Sequence, residues 1–457
     1  MEVLKNLLGE SRFVSDKEKL VPYGSDYTED LFFRPDAVAF PKTTIEVQAI
    51  VNYCYQHNIP ITPRGAGTGL SGGSLPVKGG ISICFEKMNK ILSFDNDNFQ
   101  ITVEPGVINQ EIRDFVESKG LFYPPDPASK GSSFIGGNIA HNSGGPRAVK
   151  YGVTRDWVLN LEVVLPNGEI IWTGSNTLKN STGYNLTQLM IGSEGTLGII
   201  TKAVLKLISK PIQNLLLWCP FEKMEKACEA VPAIMSSGLV PSALEIMEKK
   251  GVDLSIAHTD ASLSTEENHK AYLLIELDGS SQEKLMSQAE ELFETLEPFE
   301  PGEVQLADSA NQKENFWKIR RSIGEVVKRE SIYKEEDTVV PRAKLPQLYN
   351  GVKEIGEKYG FDSICYGHAG DGNLHVNILK GNMINEHWQG KHLEKGIREI
   401  FQLCKSLGGT ISGEHGIGYV QKKFMNEVFP EHHLQLFKSI KRVFDPKMLL
   451  NSNKIID

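Results

Sequence analysis

No pairing of cysteines is suggested anywhere in the chain. The six present, Cys54, Cys84, Cys219, Cys228, Cys365 and Cys404, are scattered without a Cys-x-x-Cys spacing. That excludes a disulfide framework and an iron–sulfur ligand set, and makes reduced thiols in a cytosolic compartment the expectation. Long apolar runs are also missing. The densest, LLLWCPF from Leu215, falls far short of the roughly 18 residues a membrane helix requires. The opening MEVLKNLLGESRF has no apolar stretch of signal-peptide length, and its glutamates disfavour a mitochondrial transit peptide. A cytoplasmic protein is expected, with peripheral contact at the inner membrane face left open. Positive charge is in deficit: 49 Lys and Arg against 58 Asp and Glu give a formal charge of −9 over 457 residues. With no lysine-rich run, nucleic acid is excluded as a partner, and the length suits an enzyme of two or three domains acting on a small molecule. Internal repeats and low-complexity segments are absent, and the Asn180 and Asn185 sequons are read as chance.

What the chain has in quantity is glycine, placed at intervals. AVAFP (Ala37 to Pro41) reads as a strand, and Thr43 with Glu46 predicts a capping box for a helix carrying Val47, Ile50, Val51 and Cys54 at helical spacing. A second strand, IPITP, leads into PRGAGTGLSGG, Pro63 to Gly73. A dinucleotide fingerprint would start a helix inside those glycines. Here SLPVKGG and another strand, ISICF, follow instead, so the loop is read as a concave turn whose backbone N–H groups can hold phosphate. Its competing reading is a flexible surface loop. EPG at Glu104, PPDPASKGSSFIGGNIAHNSGG from Pro124 and GSEGTLGIIT from Gly192 repeat the theme. Four such stretches beside apolar runs imply backbone brought close to something flat or bulky.

A second constellation lies in GHAGDGNLHVN, Gly367 to Asn377. Strands over Ile364 to His368 and Asn373 to Leu379, joined by the turn Ala369 to Gly372, place His368, His375 and Asn377 on one face. Two imidazoles in that arrangement can reach one ion. A histidine on a sheet is ordinarily only a hydrogen-bonded residue; the pairing and the nearby SGEHGIG, Ser412 to Gly418, favour ligation. Glu414 supplies a third ligand there, and Gly413 and Gly416 allow an irregular backbone. Two His and a carboxylate with open positions suit catalytic Zn, Mn or Fe.

Taken together, PRGAGTGLSGG, PPDPAS, GGNIAHNSGG, GSEGTLGIIT, GHAGDGNLHVN and GEHGIG resemble the FAD-linked oxidases of the vanillyl-alcohol oxidase/PCMH superfamily. The similar branch contains D-lactate dehydrogenase, the glycolate oxidase FAD subunit and D-2-hydroxyglutarate dehydrogenase. The resemblance implies an α+β chain in which residues 1–210 form a PCMH-type FAD-binding domain of two α/β subdomains. Residues 211–430 then form a substrate and metal domain with an antiparallel ferredoxin-like sheet flanked by helices, and 431–457 packs back on the first.

It further implies that FAD is contacted by Pro63, Arg64, Gly65, Ala66, Gly67, Thr68, Gly69, Leu70 and Ser71, by Pro125, Asp126, Ser129, Gly136, Gly137, Asn138, Asn142, Gly144 and Gly145, and by Glu194, Gly195, Gly198 and Ile199. Thr68 stands where covalently flavinylated relatives carry histidine, so FAD is expected without a covalent link. The tail NSNK replaces the family's Asn-Pro-Gly-Lys, and no FAD contact is carried over to it. His368, His375 and Glu414 are implied metal ligands, His415 the base, and Asn377 an aid to substrate or metal.

The residues themselves add a cation for a substrate carboxylate. NQKENFWKIRRSIGEVVKRE from Asn311 predicts a helix with Arg320 on or beside its apolar stripe and Arg321 turned to solvent. An internal ion pair is the competing reading for Arg320, and Arg342 is a second candidate. The function expected is oxidation of a D-2-hydroxy acid, D-lactate or glycolate first and D-2-hydroxyglutarate as the alternative, with electrons passed to a quinone, cytochrome, electron-transfer flavoprotein or oxygen. A non-redox flavin enzyme of the alkyl-dihydroxyacetone-phosphate synthase kind, or a flavin-binding electron-transfer subunit, are the other readings. Partner subunits or a homodimer stay open.

Overall fold

The computed structural model describes residues 1–28, 31–307 and 309–456. They fall into two compact units, one of Met1–Gly144, Gly152–Lys210 and Glu414–Asp457, the other of Gly145–Tyr151 and Pro211–Gly413.

In the first unit the strand Ala37–Ala39 runs into the helix Thr44–His57, whose buried residues are Val47, Ile50, Val51 and Cys54. That is the face its spacing predicts. Only half of the expected capping box forms. Thr43 Oγ1 accepts the Glu46 N–H at 3.2 Å, but the Glu46 carboxylate takes Arg12 and the Lys42 N–H, both at 2.6 Å. A strong cation within reach outcompetes the neutral N-cap amide.

Four strands form a mixed sheet in the order Phe13–Val14, Ala37–Ala39, Ile81–Cys84, Ile61–Arg64. The last two are parallel, so the glycine-rich segment from Gly65 is a crossover without a helix. Five antiparallel strands, ordered Ile91–Asp95, Gln100–Val103, Ile199–Lys206, Val158–Val164 and Ile170–Trp172, make the second sheet.

The C-terminal segment of this unit is held by buried hydrogen-bonding groups, one of its contacts being to the strand Ile61–Arg64. Lys441 Nζ donates to the Thr196 carbonyl at 2.7 Å, and Asn451 N–H to the Ile61 carbonyl at 2.7 Å. Lys454 Nζ donates to the Leu75 carbonyl at 2.6 Å and the Gly73 carbonyl at 3.2 Å, directly behind the glycine loop. Burial pulls this ammonium down to about 8, with Glu194 and Asp26 opposing. Between that value and the ordinary 10.5 the unfolded chain binds the proton that the folded chain has released. Stability therefore rises with pH across the window, by about 3 kcal/mol from this group. Urea unfolding from pH 8 upward is expected to show that gain in the native chain and to lose it in Lys454→Met.

The second unit is built on one seven-stranded sheet, ordered Gln305–Ala307, Gln213–Phe221, Ala271–Gly279, Ala243–Glu248, Asp362–Gly367, Asn373–Leu379, Tyr333–Val339. Every neighbouring pair is antiparallel. Helices including Met224–Ser236, Ala310–Glu330 and Leu345–Tyr359 flank it. Trp218, Tyr272, Phe316, Ile319, Ile323 and Ile364 form a core in which Ala310–Glu330 presses its apolar stripe on the sheet. The α+β architecture with an antiparallel C-terminal sheet is the one expected.

Candidate functional site

The first unit holds a cleft made of backbone. One chamber is lined by Gly65 to Leu70, Ser74, Pro127 to Ser129, Ser133, Phe134, Gly137, Asn138, His141, Ser143, Glu414 and His415. An adjoining one is lined by Pro63, Arg64, Phe85, Pro105, Gly136, Ala140, Ser193 to Gly195 and Gly198 to Ile200. Gly65, Ser74, Gly137 and His141 belong to both. The loop folds this way because Arg64 turns under it, donating to the Ser25 carbonyl at 2.8 Å. Gly67 has φ +75°, and a Cβ there would lie 2.3 Å from the guanidinium, so only glycine fits. On the facing wall a Cβ on Gly137 would meet no atom within 4 Å; it would project into open space. Walls so rich in glycine suit a flat ring system joined to phosphates, the shape and chemistry of FAD.

The residues expected around FAD divide into two sets. Ser71, Pro125, Asp126, Asn142 and Gly144 line neither chamber. Their groups support the walls: the Ser71 carbonyl accepts Tyr419 and Val420 N–H at 2.8 and 3.1 Å, that of Pro125 accepts Arg113 at 3.1 Å, and Asn142 Oδ1 accepts Arg155 N–H at 2.9 Å. Asp126 is buried and lies 3.7 Å from Lys130 Nζ. At Gly144 a Cβ would sit 2.7 Å from Glu414 Oε2. Gly145 belongs to the second unit.

Glu194 both lines the cleft and shapes the loop after His415. Its carboxylate accepts the Ile417 and Gly418 N–H groups, each at 2.7 Å, while Gly416 and Gly418 take φ of +82° and +50°. The GEHGIG segment is thus an irregular loop, as its glycines predict, and it sets Glu414 and His415 on the wall of the glycine-lined chamber.

In the second unit the hairpin has the expected register. Asp362–Gly367 pairs with Asn373–Leu379, Tyr366 opposite His375 and Ile364 opposite Asn377, around a short 3-10 turn, Ala369–Asp371. Gly372 at φ +75° clears the Val340 carbonyl, which a Cβ would approach to 1.9 Å. The His368 and His375 rings stand edge to face, centroids 5.5 Å apart, and Asn377 is fully buried on the same strand face.

Carboxylates surround the two imidazoles. His368 Nδ1 contacts both Glu245 oxygens, at 2.7 and 3.0 Å, which directs its Nε2 away from Glu245. Glu335 and Asp337 lie 3.7 and 3.6 Å from His375 Nδ1. A hydrogen-bonding carboxylate such as the one that orients His368 is what a histidine ligand of a divalent metal ordinarily has. Tyr366 packs beside His375, ring centroids 5.2 Å apart. Burial first, then the Glu335 carboxylate, raise the Tyr366 hydroxyl well above its usual range, so it remains protonated.

Arg320 is buried on the helix Ala310–Glu330 and its guanidinium reaches Glu245 at 2.6 Å. The internal ion pair weighed as its competing reading is therefore present. Its Nε is buried with no hydrogen-bond partner among the described residues. Arg321 is exposed and lies over the Trp317 ring at 4.7 Å. Arg342 opens the 3-10 turn Arg342–Lys344, its backbone N close to Gly372 at the hairpin tip.

Glu245, Glu335 and Asp337 are absent from the sequence-based site. A lone glutamate inside the apolar strand ALEIM was the available signal, since a charge buried on a central strand must meet a partner. Glu245 is 0% exposed and carries both Arg320 and His368. Glu245→Ala is expected to cost about 3–5 kcal/mol of stability by leaving Arg320 uncompensated, and Glu245→Gln less, as read from urea midpoints at constant m.

Comparison with known proteins identifies the family. Residues 35–174 match the FAD binding domain family and residues 210–455 the family of FAD linked oxidases, C-terminal domain. The chain is 38% identical to glycolate oxidase subunit GlcD of Bacillus subtilis (strain 168) over 455 residues, covering 99% of this chain and 96% of that one. It is 38% identical to a D-lactate dehydrogenase of Anaerostipes hadrus, over 92% of this chain and 90% of that one. The solved structure of p-cresol methylhydroxylase with substrate bound shares the fold with a TM-score of 0.81 at 19% identity, covering 100% of this chain and 96% of that one. Both parts of the chain are matched, and the chain belongs to the FAD-linked oxidases, a family of flavoprotein oxidoreductases.

Proposed function

We propose that this enzyme oxidises a small D-2-hydroxy acid, D-lactate or glycolate, to the 2-oxo acid, using FAD and a divalent metal. The observation that carries the reading is the edge-to-face pair of His368 and His375, each flanked by carboxylates. The names of the two relatives, a glycolate oxidase subunit and a D-lactate dehydrogenase, support the substrate class. In this reading residues 1–210 form the FAD domain, 211–430 the substrate and metal domain, and 431–457 an anchoring segment.

Non-covalently bound FAD would accept a hydride from the α carbon, a task beyond any side chain. A divalent ion, Zn, Mn or Fe, would lower the pKa of the substrate hydroxyl. His368, His375 and Glu414 would be its ligands, and Glu245 holds the His368 ring in the orientation ligation needs.

His415 takes the hydroxyl proton, an imidazole being suited to exchange near neutral pH. Its place on the wall of the glycine-lined chamber supports a role beside the flavin. Asn377 orients the substrate from the strand face of His375. Arg320, through the buried edge that Glu245 does not engage, or Arg342, holds the carboxylate. Electrons then pass to an external acceptor, and the word subunit in one relative's name favours a partner chain for that step.

Steady-state assays of the FAD-loaded protein with an artificial acceptor, run with D-lactate, glycolate and D-2-hydroxyglutarate, test the proposal. Turnover with D-lactate or glycolate is expected. Turnover with D-2-hydroxyglutarate alone would move the assignment to the alternative acid, and none with any of the three would remove it.

A further inference from the structure

His141 is the last residue of the helix Ile135–His141 and lies where the two chambers of the glycine-walled cleft join. Two glycines clear room for its ring, and a third lies in ordinary contact with it. A Cβ on Gly73 would come within 3.0 Å of both Cε1 and Nε2, one on Gly69 within 3.7 Å of Nε2, and one on Gly416 within 2.7 Å of Nδ1. Two chain segments, the glycine loop and the loop at Gly416, thus meet around one imidazole. A merely solvated histidine would not require that.

The two edges of the ring meet different surroundings. Nδ1 is buried and has no hydrogen-bond partner among the described residues. It faces Gly416, whose missing Cβ would also lie 2.9 Å from Glu194 Oε1, so a carboxylate stands on that side. Nε2 faces Gly69 and Gly73, on the glycine loop that lines the cleft. With Nδ1 turned to the Gly416 side, Nε2 is the ring nitrogen nearer the Gly69 to Gly73 loop that lines the cleft.

We propose that His141 binds the pyrophosphate of FAD, with Nε2–H donating to a phosphate oxygen beside the Gly65 to Gly69 turn. No role for His141 follows from the motif resemblance, which points to Asn138 and Asn142 on either side of it. The inference rests on FAD occupying the cleft. It adds a side-chain N–H donor beside a loop made largely of glycine.

Titration of apoprotein with FAD tests it. His141→Ala is expected to weaken FAD binding by about 10- to 100-fold, the range for a lost hydrogen bond to a charged group. His141→Gln, which keeps an N–H donor of similar reach, should recover part of the loss. In the holoenzyme the phosphorus-31 resonances of bound FAD should shift between native protein and His141→Gln, a change that a purely structural role would not produce. FAD affinity within twofold of native for both variants, or unshifted phosphorus resonances, would overturn the proposal. Thermal melting of the apoproteins separates misfolding from lost contact, and if His141→Ala fails to fold, His141→Gln carries both measurements. Failure of the native apoprotein to take up FAD would instead refute the flavin reading itself.

Discussion

Replacing His375 with alanine is expected to lower turnover by about a thousandfold or more while leaving FAD bound. The size follows from the several kcal/mol of charge stabilisation a Lewis acid provides, at 1.36 kcal/mol per decade of rate. Selectivity follows from position. His375 lies in the second unit, on a strand buried along its whole length, whereas the glycine-walled cleft is built from the first. Loss of the imidazole should therefore appear as lost metal, measured by elemental analysis of the purified variant, with flavin stoichiometry unchanged. Undiminished metal content would remove His375 from the ligand set.

His415→Asn should separate proton transfer from metal binding. Asparagine keeps a polar side chain of similar reach but cannot accept a proton, so turnover should fall by about 10²–10⁴-fold, the usual contribution of general base catalysis. Both FAD and metal should remain at native levels. The loop carrying His415 is fixed by Glu194, through Ile417 and Gly418 N–H, and by the left-handed Gly416 and Gly418, none of which the substitution touches. A rate within a few fold of native would show that another group takes the proton.

Where a periodic pattern met a local constraint, the sequence was readable. The hairpin register around Tyr366 and His375 follows from a period of two and a glycine turn. The buried face of Ala310–Glu330 follows from helical spacing, and it includes Arg320. The segment from Gly65 could be read as a loop between strands because no helix pattern follows it, and none forms before Ile81–Cys84.

Partners chosen in three dimensions could not be read. Glu245 looks like one polar residue in a strand until His368 and Arg320, from distant segments, converge on it. Glu46 matches a capping box, yet Arg12 draws its carboxylate away. Within the flavin motifs, glycines that face the cleft and residues that brace its walls look alike in one dimension. Asp126 and Asn142 differ from Ser129 and Asn138 only in which way the folded backbone turns them. The tail NSNK gave no sign that Lys454 would be buried against the carbonyls of Gly73 and Leu75.

The central claim is that a hydroxy acid reduces the flavin only when a divalent ion is held by the histidine pair. Anaerobic mixing of FAD-loaded protein with D-lactate or glycolate, before and after removal of bound metal by a chelator, tests it most directly. Rapid loss of the oxidised flavin's visible absorption is expected in the metal-replete protein, with little or none in the chelated protein and recovery on adding back Zn, Mn or Fe. Flavin reduction at the same rate in both samples would contradict it.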